Sequence, residues 1–225
     1  VVFDLDDTLY LEREYVRSGF GAVADWAGRT LGVDREAALR DLFALFDEGV
    51  RGDTFDRWLA ARGLPAEPHV PAMVSAYRGH APDLEPLAGV VPLLERLRTR
   101  YALGLVTDGP GAVQRAKAAA LALEPHLDAI VYSDDGGRDA WKPGPWAFER
   151  VLERLACPAP EAVYVADNPA KDFLGARRAG LWSIRVRWAG GLHAGTEPAG
   201  AEHAPDLEID TLDDLETALA ALESR

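Results

Sequence analysis

The chain has 225 residues, 48% of them apolar, a formal charge of −13 and a single cysteine. That length suits one α/β domain with an insertion, or a large and a small domain, and the apolar content excludes a disordered chain. The acidity argues against nucleic acid or an anionic membrane surface as partner, and the lone Cys157 excludes an intrachain disulfide, as expected of a reducing cytoplasm.

No apolar run approaches the roughly 20 residues of a membrane span, and no secretory leader is legible. The chain starts at Val1 rather than Met, so a few residues before the first strand are expected. Residues 1–4, Val1-Val2-Phe3-Asp4, read as a buried strand, followed by Asp6, Asp7 and Thr8. Side chains two apart on a strand share a side, so Asp4 and Asp6 are expected to converge on one reacting atom. Aspartyl phosphoryl transfer uses such a pair, one carboxylate attacking and the other handling the leaving group's proton. A strand end with an Asp/Thr helix cap accounts equally well for this segment alone.

From residue 12 to residue 80 the pattern is helical throughout. Tyr15, Val16, Phe20, Val23, Trp26 and Ala27 recur at helical spacing. A second helix carries Leu39, Leu42, Phe43, Leu45 and Phe46, opened by Asp34 as N-cap and closed by Gly49. Phe55, Trp58 and Leu59 predict a third, stopped at Gly63-Leu64-Pro65, and Val70, Met73, Val74 and Tyr77 a fourth. From about residue 87 helices and strands alternate. Helices at 91–98, 112–123, 146–155 and 170–179 precede strands at 101–106, 129–132, 162–166 and 183–186. A glycine-, alanine- and proline-rich loop at 190–205, a short strand at 207–209 and a helix at 212–222 complete the chain. Strands apolar on consecutive positions, such as Val163-Tyr164-Val165-Ala166, are buried on both faces. The expected fold is therefore α/β, a doubly wound parallel sheet in a Rossmann-like core at 1–11 and 83–225, interrupted by a small all-helical domain at 12–82.

In open parallel sheets, ligands bind outside the carboxyl ends of the strands. The predicted strand ends carry Asp4, Asp6 and Thr8; Thr107, Asp108 and Gly109; Lys142 before Pro143; and Asp167, Asn168 and Asp172. Each group has a plain structural use, as a turn, a helix start or an N-cap. Capping does not require four carboxylates, a threonine and a lysine to meet at one rim.

Together these segments resemble the haloacid dehalogenase superfamily of hydrolases, most of which are Mg²⁺-dependent phosphatases. Phe3-Asp4-Leu5-Asp6-Asp7-Thr8-Leu9-Tyr10 matches the first family motif, and Leu105-Val106-Thr107-Asp108-Gly109 the second. Lys142 fits the third, and Tyr164-Val165-Ala166-Asp167-Asn168-Pro169-Ala170-Lys171-Asp172 the fourth. Ala166 replaces the usual glycine, and Asp139-Ala140-Trp141 is a less common approach to the lysine. The helical insertion looks like the family's cap, which excludes water and reads the leaving group.

The resemblance implies Asp4 as nucleophile and Asp6 as general acid and then base, with Thr107 and Lys142 completing the catalytic set. As an initial acid, Asp6 is expected to have a raised pKa. Thr8, Asp108, Gly109 and Arg13 are the implied substrate-binding residues. Asp4, Asp167 and the main-chain carbonyl of Asp6 are the implied Mg²⁺ ligands, with Asp172 and Asn168 in support. Charge counting points to a metal independently, since four carboxylates face one lysine and a phosphate dianion would not enter unaided. Tyr10, Glu12, Arg17 and His193 are weaker candidates for substrate contact; the other histidines lack metal-ligand spacing.

The expected function is a cytoplasmic, Mg²⁺-dependent phosphatase acting on a small phosphorylated metabolite, as a monomer or homodimer. The alternatives are a sugar-phosphate mutase or haloacid dehalogenase of the same fold, or a non-catalytic phospho-acceptor or binding protein. Asp6 argues against dehalogenation. A candidate acceptor on the first strand, followed by a helical insertion, argues against a receiver-type module.

Overall fold

The computed structural model describes residues 1–224. The chain divides into two compact units, one of Val1–Arg13 with Leu84–Arg225 and one of Glu14–Asp83.

The first unit is built on six parallel strands: β1 (Val2–Phe3), β2 (Gly104–Thr107), β3 (Ala129–Tyr132), β4 (Val163–Ala166), β5 (Trp182–Val186) and β6 (Leu207–Ile209). Their order is β3-β2-β1-β4-β5-β6. The chain steps outward one way from β1, returns, and steps the other way from β4, so β1 and β4 flank the topological switch point. Val2 aligns with Gly104 on one side and Tyr164 on the other, and both residues of β1 are fully buried. Continuous apolar runs are what a strand covered on both faces requires.

Helices α5 (Val90–Leu97), α6 (Gly111–Ala120), α7 (Trp146–Leu155), α8 (Asp172–Arg178) and α9 (Leu215–Glu223) belong to the same unit. One core cluster joins Val2, Val106 and Val131 from the sheet to Phe148 and Val151 of α7 and Phe173 of α8. Phe148 meets Tyr164 of β4 edge to face, ring centroids 4.8 Å apart.

The second unit is all helical: most of α1 (Glu12–Leu31), then α2 (Arg35–Asp47), α3 (Thr54–Ala60) and α4 (Ala66–Gly79). Asp34 caps α2 by accepting from the Ala37 amide at 2.9 Å. Phe20 is ringed by Phe43, Phe46, Phe55 and Tyr77 at centroid distances of 5.4, 6.3, 6.3 and 5.8 Å. No helix among the described residues is long and apolar enough to cross a membrane.

Several element bounds differ from the sequence expectation for physical reasons. The first strand ends at Phe3, because the chain turns at Leu5, whose carbonyl accepts from the Thr8 and Leu9 amides. The second begins at Gly104 rather than residue 101, since the Tyr101 amide still closes a helical turn onto Leu97. Helix α6 stops at Ala120, with Ala122 at φ +51, and α8 starts at Asp172, after the Asn168 turn. Glu67 within α4 precedes Pro68, whose ring disfavours the helical region for the residue before it, and Glu67 accordingly leaves helical geometry at φ −91, ψ 135.

Gly175 of α8 positions the site. A Cβ there would sit 2.6 Å from Phe148 Cε2 and 3.1 Å from the Pro143 carbonyl oxygen, so α8 reaches the Lys142-Pro143 loop only because residue 175 is bare. Gly175→Ala should destabilise the fold by about 1–3 kcal/mol through overpacking, read as a lower urea midpoint at unchanged slope.

Candidate active site

Asp4 follows β1 directly and donates its amide to the Val165 carbonyl at 2.9 Å, which fixes it beside β4. Its Oδ1 accepts from Lys142 Nζ at 2.7 Å. The same ammonium donates to Asp172 Oδ1 at 2.7 Å and to Tyr164 OH at 2.9 Å, so all three of its protons have acceptors. The loop carrying Lys142 is itself held. Its amide points at both oxygens of Asp108, 3.1 and 3.2 Å away, and Asp108 follows β2. Asp172 spends its second oxygen on the Asn168 amide at 3.1 Å. Burial works against the charge on Lys142, but Asp172 and Asp4 outweigh it and hold its pKa well above the usual lysine range.

Asp167 follows β4. One carboxylate oxygen each from Asp4, Asp167 and Asp172 lie within 4.8 Å of one another, all buried. Asp167 Oδ2 is buried with no hydrogen-bond partner among the described residues, as are the hydroxyls of Thr8 and Thr107. Burial, then Asp172 and Asp4, push Asp167 up to about 9. Burial also raises Asp4 to about 6 against the pull of Lys142. These carboxyls cannot all ionise cheaply by themselves. An orphaned carboxylate oxygen in a tight cluster of oxygens fits a hard divalent cation.

The expectation for Asp6 needs correcting. Because β1 ends at Phe3, strand alternation does not set its direction. Asp6 turns to a different cation. Its Oδ1 accepts from Lys117 Nζ at 2.6 Å and from Tyr10 OH, and its Oδ2 from Gln114 Nε2 at 3.1 Å. The expected raised pKa is not found. Burial opposes ionisation, yet Lys117 and Tyr10 together hold Asp6 below the ordinary carboxylate value. Nor is Asp6's carboxylate part of the three-carboxylate cluster; the metal reading for this residue rests on its main-chain carbonyl.

The charge count changes too. Besides Lys142 there are Lys117 on Asp6 and Lys171, whose field lowers the proton affinity of Asp4, Asp6 and Asp167. Three lysines therefore stand against the four expected carboxylates, and Asp7, Glu12 and Asp108 add carboxyl groups to the same field.

A family model of haloacid dehalogenase-like hydrolases matches residues 1–180. The glyceraldehyde 3-phosphate phosphatase of Methanopyrus kandleri is 35% identical over 219 residues, 93% of this chain and 92% of that protein. The chain belongs to the haloacid dehalogenase-like hydrolases. A phosphoserine phosphatase of Thermus thermophilus is also 35% identical to this hydrolase, over 53% of the chain and 45% of that protein. Among solved structures, an HAD phosphatase from Thermococcus onnurineus is 28% identical, with a TM-score of 0.63, covering 97% of the hydrolase and 96% of that chain. The HAD-hydrolase YfnB of Bacillus subtilis shares the fold, with a TM-score of 0.68 at 22% identity over 97% and 96% of the two chains.

The remaining expected residues of the hydrolase sit as follows. Asp108 uses its carboxylate on the Lys142 amide, and Gly109 adopts φ +131. Asn168 Oδ1 accepts from the Ala170 amide at 2.9 Å, and its Nδ2 lies 3.0 Å from His193 Nε2. Arg13 is half-buried where the first segment of the sheet unit ends. Arg17 pairs with Glu14, 3.4 Å away. Tyr10 serves Asp6, while Asp7 accepts from the Glu12 amide at 2.8 Å and the Leu192 amide at 2.7 Å.

Sequence reasoning missed Lys117, Gln114, Tyr164, Lys171 and Arg185. Arg185 was legible as a lone cation in the buried strand β5. Its Nε donates to the Asp167 carbonyl at 3.1 Å, and an NH2 donates to the carbonyls of His193 and Thr196 at 2.8 and 2.7 Å. Arg187 adds a bond to the Ala194 carbonyl at 2.7 Å. The loop after β5 is thereby tied to the end of β4.

Native Asp167 keeps its proton up to about pH 9, whereas the unfolded chain releases it near 3.8. The native state therefore binds more protons across that window, and stability falls as pH rises toward 9, levelling above it. In EDTA the melting temperature should fall between pH 7 and 9, and Asp167→Asn, which has no such proton, should fall less over the same interval. Equal slopes would mean that Asp167 is already ionised at pH 7.

Proposed function

We propose that this hydrolase is a phosphatase acting on a small phosphomonoester, with Asp4 as nucleophile and Asp6 as general acid and base. One observation carries the reading. At the switch point of the sheet a buried carboxylate is ion-paired to Lys142, while the Thr107 hydroxyl and Asp167 Oδ2 are buried with no hydrogen-bond partner among the described residues. A phosphoryl group offers oxygens to the first of those orphans and a bound cation an acceptor's role to the second.

Asp4, Asp167 and the main-chain carbonyl of Asp6 would hold Mg²⁺, whose chemistry there is to neutralise the carboxylates and the incoming dianion. Lys142 holds Asp4 and balances charge, and Thr107 donates to the transferring group. An Asp4 oxygen attacks phosphorus, the ester P–O bond breaks, and the departing alkoxide takes a proton from Asp6. A dianionic ester beside Asp6 favours its protonated form, which supplies that proton from a side chain ionised at rest. Asp6, again a carboxylate, then removes a proton from water as the water oxygen attacks phosphorus and the bond to Asp4 breaks. Halide leaves as an anion and needs no proton, so the presence of Asp6 as a proton-transfer group favours phosphate esters over haloacids.

The segment at 14–83 is assigned the cap's task of choosing the leaving group. The M. kandleri relative makes glyceraldehyde 3-phosphate the first metabolite to assay, and the T. thermophilus relative adds phosphoserine. Cytoplasmic residence, work as a monomer or homodimer, and no binding to nucleic acid belong to the same reading, supported by one cysteine and the charge of −13.

The deciding experiment is hydrolysis of p-nitrophenyl phosphate with Mg²⁺ and with EDTA, beside Asp4→Asn. The expected result is turnover that EDTA abolishes and Asp4→Asn lowers by at least about a thousandfold. Turnover that survives Asp4→Asn would overturn the mechanism.

A further inference from the structure

Helix α6 buries the wrong kind of residue for a helix lying on a sheet. Its buried positions are Val113, Gln114, Lys117 and Ala118. Gln114 and Lys117 are one turn apart and share a face. Burying an ammonium and an amide is costly, and a well-packed aliphatic pair commonly does as well or better for stability. Gln114 is not even fully satisfied, since its Oε1 is buried with no partner among the described residues. Stability alone does not explain such a pair.

Their contacts do. Lys117 Nζ donates to Asp6 Oδ1 at 2.6 Å, with Lys117 and Asp6 side chains 5% and 14% exposed. Gln114 Nε2 donates to Asp6 Oδ2 at 3.1 Å and also to the Asp108 carbonyl, joining the loop after β1 to the loop after β2. Tyr10 OH is a second donor to Oδ1. Space for this arrangement comes from Gly109, where a Cβ would lie 2.7 Å from Gln114 Nε2.

Resting on the phosphatase reading above, we propose that Lys117 is a positioning residue for the reaction, with Gln114 as its second support. It holds the Asp6 carboxyl in the orientation that serves the leaving-group oxygen. Without the charged donor, Asp6 keeps Tyr10 on Oδ1 and Gln114 on Oδ2 but loses the ion pair, one of the two contacts that hold Oδ1. Small misplacements of a proton-transfer group cost on the order of a hundredfold in rate.

Leaving-group dependence separates this role from a structural one. A nitrophenolate departs without a proton, whereas an alkoxide needs the one on Asp6. The value of kcat/KM covers the steps up to that departure. Lys117→Met should lower kcat/KM for glycerol 3-phosphate relative to p-nitrophenyl phosphate by about 10- to 100-fold, with Lys117→Arg restoring most of the ratio. In an Asp6→Ala background Lys117→Met should leave the ratio where it is. Gln114→Leu keeps the ion pair, should shift the ratio the same way by less, and serves as the test if Lys117→Met does not fold. An unchanged ratio, or a further fall in the Asp6→Ala background, would overturn the positioning role while leaving the phosphatase in place. A wild-type protein that hydrolyses neither ester would remove the phosphatase reading and this one with it.

Discussion

Three elements at the carboxyl end of the sheet are organised around one buried ammonium group. Lys142 Nζ touches Asp4 after β1, Tyr164 in β4 and Asp172 at the start of α8. A lysine charge removed from water is tolerable only when each proton has an acceptor of matching sign. That condition fixes three elements relative to one another. It also reaches into the apolar core, because Tyr164 is held edge to face by Phe148, and Phe148 is the ring against which Gly175 leaves α8 room. Packing and charge placement are here a single constraint.

The two carboxylates of the first motif are pulled apart by their surroundings. Asp4, deeply buried beside Asp172 and Asp167, holds a proton more readily than a free carboxylate, and Asp6, facing Lys117, less readily. Two chemically identical side chains two residues apart thus acquire different proton affinities from their surroundings. A cation among Asp4, Asp167 and Asp172 would reverse the first of these shifts, since it favours the ionised forms that burial disfavours.

Much of this was readable from the chain. The strands announce themselves as apolar runs, and the residues beyond their ends, Asp4, Thr107, Lys142, Asp167 and Asp172, are conspicuous because turns and caps do not need so many charges together. Asp34 was legible as a cap because capping is a local bond, three residues long. What resisted was long-range or negative. Lys117 stands 111 residues from Asp6, inside a segment whose polar residues read as an ordinary exposed helix face. Asp6's direction and protonation depend on that partner, so spacing along a strand misjudged the first and the acid role implied by the resemblance misjudged the second. The break in α4 at Glu67 needed the restriction that Pro68 places on the residue before it.

Arg185 grips the loop after β5 by its main-chain oxygens, those of His193 and Thr196, and not by its side chains. Any residue carries a carbonyl. The path of the loop therefore rests largely on main-chain oxygens at 193, 194 and 196. A designed library could vary the side chains at 192, 194, 195 and 196 and keep those main-chain bonds, whereas His193 on Asn168 and Glu197 on Arg187 also hold through their side chains. Most of the fastening is main chain, so this segment constrains its own side chains less than the strand ends beside it do.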